Sequence, residues 1–499
     1  MDKIRIHGGA RLEGSVCVSG SKNACLPILA ACLLVEGPVV LDGVPRLKDV
    51  EGMLQMLQLL GVDAEWLGGD SLRVHVVDES AVHAPYHLVR TMRASFCLLG
   101  PLWAKRGQAV VSYPGGCVFG YRPVDLHLKG LASIGAKLDL TQGNVTATGI
   151  VRGGEVYLGG NFGSTVLGTA NVLMAATLGR GDTVIECAAQ EPEIVDLCEF
   201  LNACGARIEG IGGHRLLVRG VAKLTGCRYR VIPDRIEAGT LLMAGAMTRG
   251  DVEVVGARPE NLAAVIDRLR AAGVPLEMGE REVTTVPEFR VLPLDSPELD
   301  CSANGTGVGG GTGARRDSGR RQRSDRSRID GKLMADRVVL SQGDTGASDE
   351  PGRECRRMPF IRTLAWDELR STDVATLPYP GFPTDLQAQF LTMMCVADGV
   401  SVITEKVYPE RFIHCAELAR LGAQIRREGP AAIVQGGCRL RGATMMASDL
   451  RASAALVLAG LVAEGTSEVH RVYHLDRGYD ALHTKLAGLG ADVQRVRDL

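Results

Sequence analysis

The sequence predicts an α/β protein built as two lobes, each closed from three copies of one helix–strand–helix–strand-pair unit. Three observations carry this. A Gly-headed alternating run recurs six times, a second Gly-headed run follows each at a near-constant interval, and the residues between carry a helical stripe.

The chain opens with Met1-Asp2-Lys3-Ile4-Arg5-Ile6, whose alternation of charged and apolar residues reads as a strand. It lacks the basic region, apolar stretch and small-residue cleavage site of a secretory leader, so no secretion is expected. The longest apolar run, Ala24 to Val35, is interrupted by Pro27 and falls short of the roughly 20 residues that span a bilayer. A soluble, cytoplasmic chain with no membrane partner is expected.

The first mark of each unit is a charged residue followed by Gly and an alternating apolar stretch: Glu36-Gly37, Arg106-Gly107, Arg180-Gly181, Arg249-Gly250, Asp398-Gly399 and Glu464-Gly465. The second is a Gly opening another alternating run, at Gly61, Gly135, Gly205, Gly273, Gly422 and Gly490. Between the marks lie apolar residues at i, i+3, i+4 and i+7: Val50, Met53, Leu54 and Leu57; Ile194, Leu197, Cys198 and Leu201; Leu262, Val265, Ile266 and Leu269. That is the stripe of a helix with one buried face. A Gly at its end fits a left-handed C-cap, where a missing Cβ removes the steric penalty. A more uniformly apolar helix, such as Asn23 to Val35 or Gly168 to Leu178, precedes each first mark. A solenoid would need polar capping units at both ends, and none is evident, so closure at three units per lobe is the expectation. A cleft between the lobes is then the natural site.

One interval, Gly273 to Gly422, is double the others. It contains the Gly305 to Gly313 run and the Arg/Ser/Asp tract Arg315 to Arg328, with little apolar surface to offset the ordering cost of about 1–2 kcal/mol per residue. An inserted, disordered, low-complexity segment is expected at about 295–375. Its basic tract reads as a solvated loop, and overall the 56 basic residues nearly balance 58 acidic ones, leaving no global field to steer nucleic acid. The 14 cysteines include no Cys-x-x-Cys pair, and those in apolar runs (Cys25, Cys32, Cys97, Cys395) read as buried, reduced thiols.

Several polar stretches break the repeat. Ser19-Gly20-Ser21-Lys22-Asn23 places a lysine at a helix start, where backbone N–H groups favour an anion. Tyr113-Pro114-Gly115-Gly116-Cys117 presents a cysteine on a Gly-rich loop ahead of Arg122, a neighbour that lowers a thiol pKa. Arg93, Arg451 and Arg477 sit in apolar or small-residue stretches, where a guanidinium is costly unless it pairs with a carboxylate or phosphate. Asp385 stands at a turn-to-helix junction as an N-cap or a general base. Together the basic residues point to a ligand with several negative charges.

These stretches, with Thr91-Met-Arg93-Ala-Ser95, Arg122-Pro123-Val124-Asp125-Leu126-His127, Glu191-Pro-Glu-Ile-Val-Asp196, Pro233-Asp-Arg-Ile-Glu237, Phe382-Pro-Thr-Asp385-x-Gln-Ala-Gln389 and Asp449-Leu-Arg451-Ala-Ser, resemble the UDP-N-acetylglucosamine 1-carboxyvinyltransferase family of enolpyruvyl transferases. The resemblance covers the chain outside the insertion. It implies an inside-out barrel in each lobe, with pseudo-threefold symmetry; residues 22–232 would form one lobe, and 1–21 with 233–499 the other. It implies transfer of the enolpyruvyl group of phosphoenolpyruvate to the 3′-hydroxyl of UDP-N-acetylglucosamine with release of phosphate, in a chain expected to be a monomer needing no metal or cofactor. Lys22, Arg122 and Arg477 would hold phosphoenolpyruvate with Arg93 assisting, Cys117 would be the general acid, and Asp385 would take the hydroxyl proton. Asn23, Arg451, Val407 and the run Arg122, Pro123, Val124, Asp125 and Leu126 would line the nucleotide-sugar site. Where relatives often carry a lysine for the diphosphate, this chain has Ser164-Thr-Val-Leu-Gly168. The sister reaction on shikimate 3-phosphate is the nearest alternative, and the Cys117 loop argues against it. A catalytically dead homologue serving as a nucleotide-sugar sensor or as a basic-tract binding module is the other; the retained Lys22, Cys117, Asp385 and Arg477 argue against that.

Overall fold

The structure, a computed structural model, describes residues 2–90, 92–113, 124–161, 163–283, 356–366 and 368–497. Six units of the expected kind run along it. The first comprises helix Lys22–Ala31, strand Val39–Asp42, helix Lys48–Leu59 and the strand pair Val62–Gly68 and Ser71–Val76. The third repeats it as Val166–Thr177, Asp182–Glu186, Pro192–Ala203, Arg207–Glu209 and Arg215–Arg219, and the fourth as Arg235–Met247, Asp251–Val255, Ala263–Ala271, Leu276–Val283 and Arg356–Thr363.

The striped helices lie outside the apolar ones and bury the predicted faces: Val50, Met53, Leu57, Leu197, Val265 and Leu269 are all within 1 % of full burial. Each stripe ends at its glycine, and all six of these glycines have φ between +78° and +113°, a conformation that costs an L-residue about 1–2 kcal/mol. The apolar helices are buried nearly all round, as in Leu450–Val462 and Arg235–Met247. In each lobe they pack on one another inside a ring of three four-stranded sheets.

A fourth strand per sheet was not legible as part of the repeat. It pairs parallel to the central strand: Arg228–Arg230 with Val39–Asp42, Glu13–Cys17 with Asp251–Val255, and Thr444–Met446 with Thr466–His470. The sixth unit lacks a second hairpin strand of its own. The N-terminal strand Asp2–His7 fills that place, antiparallel to both Thr466–His470 and Asp492–Arg497. The chain therefore closes on itself.

The expected insertion limits, about 295–375, require correction at the C-terminal end. Arg356–Thr363 is a strand, antiparallel to both Asp251–Val255 and Leu276–Val283, and Val374–Ala375 pairs with Val400–Thr404. Its buried Ile361 enters the second large apolar cluster, while half-buried Met358 and Phe360, on the opposite face, pack with Val255 and Val283; this apolar pattern is masked in the sequence by Arg353, Arg356, Arg357, Arg362 and Pro359. The Gly-rich run and basic tract lie outside the described residues.

Buried apolar residues form two large clusters, one drawn from Ala24 to Ile232 and the other from Ile4 to Val16 together with Ile236 to Val493. Two antiparallel chain segments join them. Ser21 N–H donates to Ile232 O at 2.7 Å and Asp234 N–H to Ser19 O at 2.8 Å. Gly20 runs so near Gly43 that a Cβ would lie 1.6 Å from the Gly43 carbonyl oxygen. The buried ion pair of Lys485 Nζ with Glu237 Oε1 (2.7 Å) also holds Ser19, through Ser19 Oγ at 2.8 Å from Nζ.

Candidate active site

Helix N-termini from both lobes meet where the clusters face each other. Ser21 caps Lys22–Ala31 by accepting from Ala24 N–H, Asp234 caps Arg235–Met247, and Asp449 caps Leu450–Val462 through Arg451 N and Ala452 N. These caps fix the first helical residues Lys22 and Arg235 and the second, Arg451, so that their side chains start from the interlobe surface. Unsatisfied N–H groups and dipoles at such ends favour anions.

Two carboxylates organise the cations that gather there. Asp49, from the second helix of the first unit, accepts from Lys22 Nζ at 3.2 Å through Oδ2 and from Arg477 Nε at 2.8 Å through Oδ1. Arg477 ends a 3₁₀ turn in the other lobe, so this ion triplet spans the cleft. Asp385 accepts from Arg411 Nη1 at 2.8 Å and Arg451 Nη2 at 2.9 Å, and Asn23 Nδ2 reaches it across the cleft at 3.4 Å. Asp385 lies within the 3₁₀ turn Thr384–Leu386; the N-cap of the helix that follows is Leu386.

The charges shift as their surroundings demand. Burial pushes the Lys22 ammonium below its ordinary pKa, with Arg451 and Arg477 acting the same way and Asp49 and Asp385 opposing. Burial pushes the Asp385 carboxyl up, but Arg451, Arg411 and Lys22 outweigh it and hold it well below the usual carboxylate range. Arg451 is almost fully buried, and its Nε and Nη1 reach no hydrogen-bond acceptor among the described residues. The set therefore holds buried guanidinium donors beyond those its carboxylates use.

The remaining predicted residues are placed as follows. Arg93 opens the 3₁₀ turn Arg93–Leu98 and lies near buried His127, whose pKa is lowered to about 3 by burial first and by Arg93 second. Val124 is buried, and Asp125, exposed, begins helix Asp125–Ser133. Leu126 packs over Gly160. Val407 donates its N–H to Glu405 Oε1 at 2.8 Å. Cys117, Arg122 and Pro123 lie outside the described residues.

Four residues escaped the sequence reading. Asp49 and Arg411 lie in ordinary helical and loop sequence, where an acid or base reads as solvated. Fully buried Glu405 accepts from Thr376, Thr384, Val407 and Tyr408, tying the Asp385 turn to the 405–408 loop. Arg235 forms a two-pronged pair with Glu193 of the facing lobe at 3.0 and 3.2 Å. The quoted stretches containing Glu193 and Arg235 were the available signal for that contact. Among the described residues no cluster of His, Cys, Asp and Glu is placed to hold a metal, and no helix is long and apolar enough to cross a membrane.

The sequence matches the family model of EPSP synthase (3-phosphoshikimate 1-carboxyvinyltransferase) over residues 6–297 and 356–486. Two similar relatives are the UDP-N-acetylglucosamine 1-carboxyvinyltransferases of Methylacidiphilum infernorum, 43% identical over 499 residues and 99% of each chain, and of Oleidesulfovibrio alaskensis, 43% identical over 497 residues, covering 99% of this chain and 100% of that one. Two solved structures share the fold. The enolpyruvyl transferase NikO from Streptomyces tendae has a TM-score of 0.75 at 21% identity, over 99% of this chain and 98% of its own. EPSP synthase from Acinetobacter baumannii has a TM-score of 0.67 at 16% identity, over the whole of both chains.

Proposed function

This chain belongs to the enolpyruvyl (1-carboxyvinyl) transferase family, and from that premise we propose that it transfers the enolpyruvyl group of phosphoenolpyruvate to the 3′-hydroxyl of UDP-N-acetylglucosamine, releasing phosphate and committing the sugar to peptidoglycan. The observation that carries the reading is the pair of carboxylate-centred cation clusters facing each other across the cleft, in a chain 43% identical from end to end to enzymes of that name.

Phosphoenolpyruvate, with a phosphate and a carboxylate, replaces Asp49 as the partner of Lys22 and Arg477, while Arg93 and Arg122 add charge. Their fixed positive charge stabilises the anionic tetrahedral adduct more than the reactants. Cys117 protonates the methylene carbon as the sugar oxygen adds to C2. Asp385, held ionised, orients that hydroxyl and takes its proton as the forming C–O bond makes it acidic. Arriving phosphates draw Arg451 and Arg411 away from Asp385, which raises its basicity when it is needed. Asn23, Val124, Asp125, Leu126, Arg451 and Val407 line the nucleotide-sugar side. The lobes, residues 22–232 against 1–21 with 233–499, close on both substrates and exclude water. One polypeptide supplies both walls, so the reading needs only a monomer, and it places the reaction in the cytoplasm without cofactor or metal.

The test is phosphate release from phosphoenolpyruvate with UDP-N-acetylglucosamine and, in parallel, with shikimate 3-phosphate. Release with the first acceptor only is expected. Release with the second alone would reassign the chain to the sister reaction, and release with neither would make it a sensor. Cys117→Ala should lose most of the turnover, and an epoxide phosphonate such as fosfomycin should label Cys117 in peptide mass spectra. Full turnover in the variant, or no label at Cys117, would overturn that role.

A further inference from the structure

Eleven of the 14 cysteines are described, and all have free thiols. Most are inert by position: burial pushes Cys97 and Cys198 up to about 12, and Cys17, less deeply placed, to about 11. One pair differs. Cys204 Sγ and Cys227 Sγ lie 3.4 Å apart in the first lobe. Cys204 is the buried C-cap of helix Pro192–Ala203, and half-buried Cys227 precedes the strand Arg228–Arg230 that leads out of the lobe.

The backbone on either side is already fixed. Thr225 N–H donates to the Cys204 carbonyl at 2.8 Å, and Val40 N–H donates to the Cys227 carbonyl at 2.9 Å. The two sulfurs therefore meet without the chain having to move far, since a disulfide needs them about 2 Å apart. The pair is asymmetric in access as well: Cys204 is buried, whereas Cys227 is only half-buried. Cys227 is thus the reachable sulfur and Cys204 the buried partner beneath it.

We propose that Cys204 and Cys227 form a peroxide-sensitive dithiol site that oxidises to an intramolecular disulfide. The Cys227 thiolate attacks one oxygen of hydrogen peroxide; the S–O bond forms, the O–O bond breaks, and hydroxide leaves to be protonated to water. The Cys204 sulfur, giving up its proton, then attacks the Cys227 sulfenic acid; the S–S bond forms, the S–O bond breaks, and the hydroxide leaves as water with that proton. Two thiols and one peroxide become one disulfide and two waters. The bond would join the end of helix Pro192–Ala203 to the segment entering the lobe crossing at Ile232, without touching the proposed substrate residues.

The experiment uses the full-length reduced protein treated with hydrogen peroxide, quenched, alkylated and digested without reductant. A crosslinked peptide pair containing Cys204 and Cys227 is expected, accumulating at least about tenfold faster than oxidation of Cys25, Cys97 or Cys198. In Cys204→Ser the expected product is a Cys227 sulfenic acid that dimedone traps, and in Cys227→Ser the Cys204 thiol should remain alkylatable. Complete alkylation of both residues in the treated wild type would overturn the proposal. So would pairing of Cys227 with Cys32, or absence of dimedone label in Cys204→Ser. Peptide mapping separates these outcomes from any reaction at Cys117, so the result is independent of the proposed catalysis.

Discussion

At the scale of single residues, Asp385 and His127 show how burial and neighbours set protonation. Asp385 has a depressed pKa, so its contribution is fully present above its unfolded value near 3.8 and is lost as pH falls through the folded value. Asp385→Asn leaves Arg411 and Arg451 facing each other. It should cost about 1–3 kcal/mol in urea unfolding near neutral pH, with the deficit shrinking below about pH 4, and should remove turnover by about 10²-fold or more. A deficit that grows on acidification would contradict the ion-pair geometry. His127 has the opposite charge sign. It is held neutral down to about pH 3 by burial and by Arg93, with Nδ1 3.0 Å from Asn171 Nδ2. The unfolded chain binds a proton there below about 6.5, so stability should fall as pH drops from there toward 3, by up to about 1.4 kcal/mol per pH unit. His127→Gln should flatten that slope by one site, measured by chemical denaturation between pH 6.5 and 4.5; an unchanged slope would show that His127 titrates alike in both states.

At the scale of elements, the repeat was legible because its units obey local rules: a 3.6-residue stripe, a left-handed glycine, an alternating strand. The fourth strands were not, since pieces as short as Val374–Ala375 or Arg228–Arg230 carry no periodicity and exist only by pairing with a strand far away in sequence. The misplaced limit of the insertion has the same origin. Arg356–Thr363 looks polar until Leu276–Val283 and Asp251–Val255 flank it. The register pairs Val283 directly with Arg356, so the intervening 72 residues leave and return at neighbouring backbone positions. Replacing 284–355 by a short Asn-Gly hairpin turn should keep the melting temperature within a few degrees and turnover within severalfold. A loss comparable to that of Asp385→Asn would show that the segment serves the site.

At the scale of the whole molecule, the site exists only where the lobes meet. Lys22 and Asp49 come from one cluster and Arg477 from the other, as do Asn23 and Asp385, or Glu193 and Arg235. Arg477 is about one-third exposed, so Arg477→Met should leave the melting temperature nearly unchanged. It should lower kcat/KM for phosphoenolpyruvate by at least about 100-fold, because the charge supplied by the second lobe is missing in the transition state. An effect confined to stability would mean that the ion triplet is only structural.

The sequence by itself determined the unit, its number of copies and the class of fold, and it marked Arg451 and Arg477, which ion-pair at the cleft, because helix stripes, glycine caps and out-of-place arginines are properties of short stretches. Only the tertiary structure decided that the N-terminal strand completes the sixth sheet, that Asp49 bridges Lys22 and Arg477, and that Arg411, rather than solvent, partners Asp385. Those contacts join segments from 26 to more than 400 residues apart. Their energy depends on distance and burial, which residue order alone does not specify.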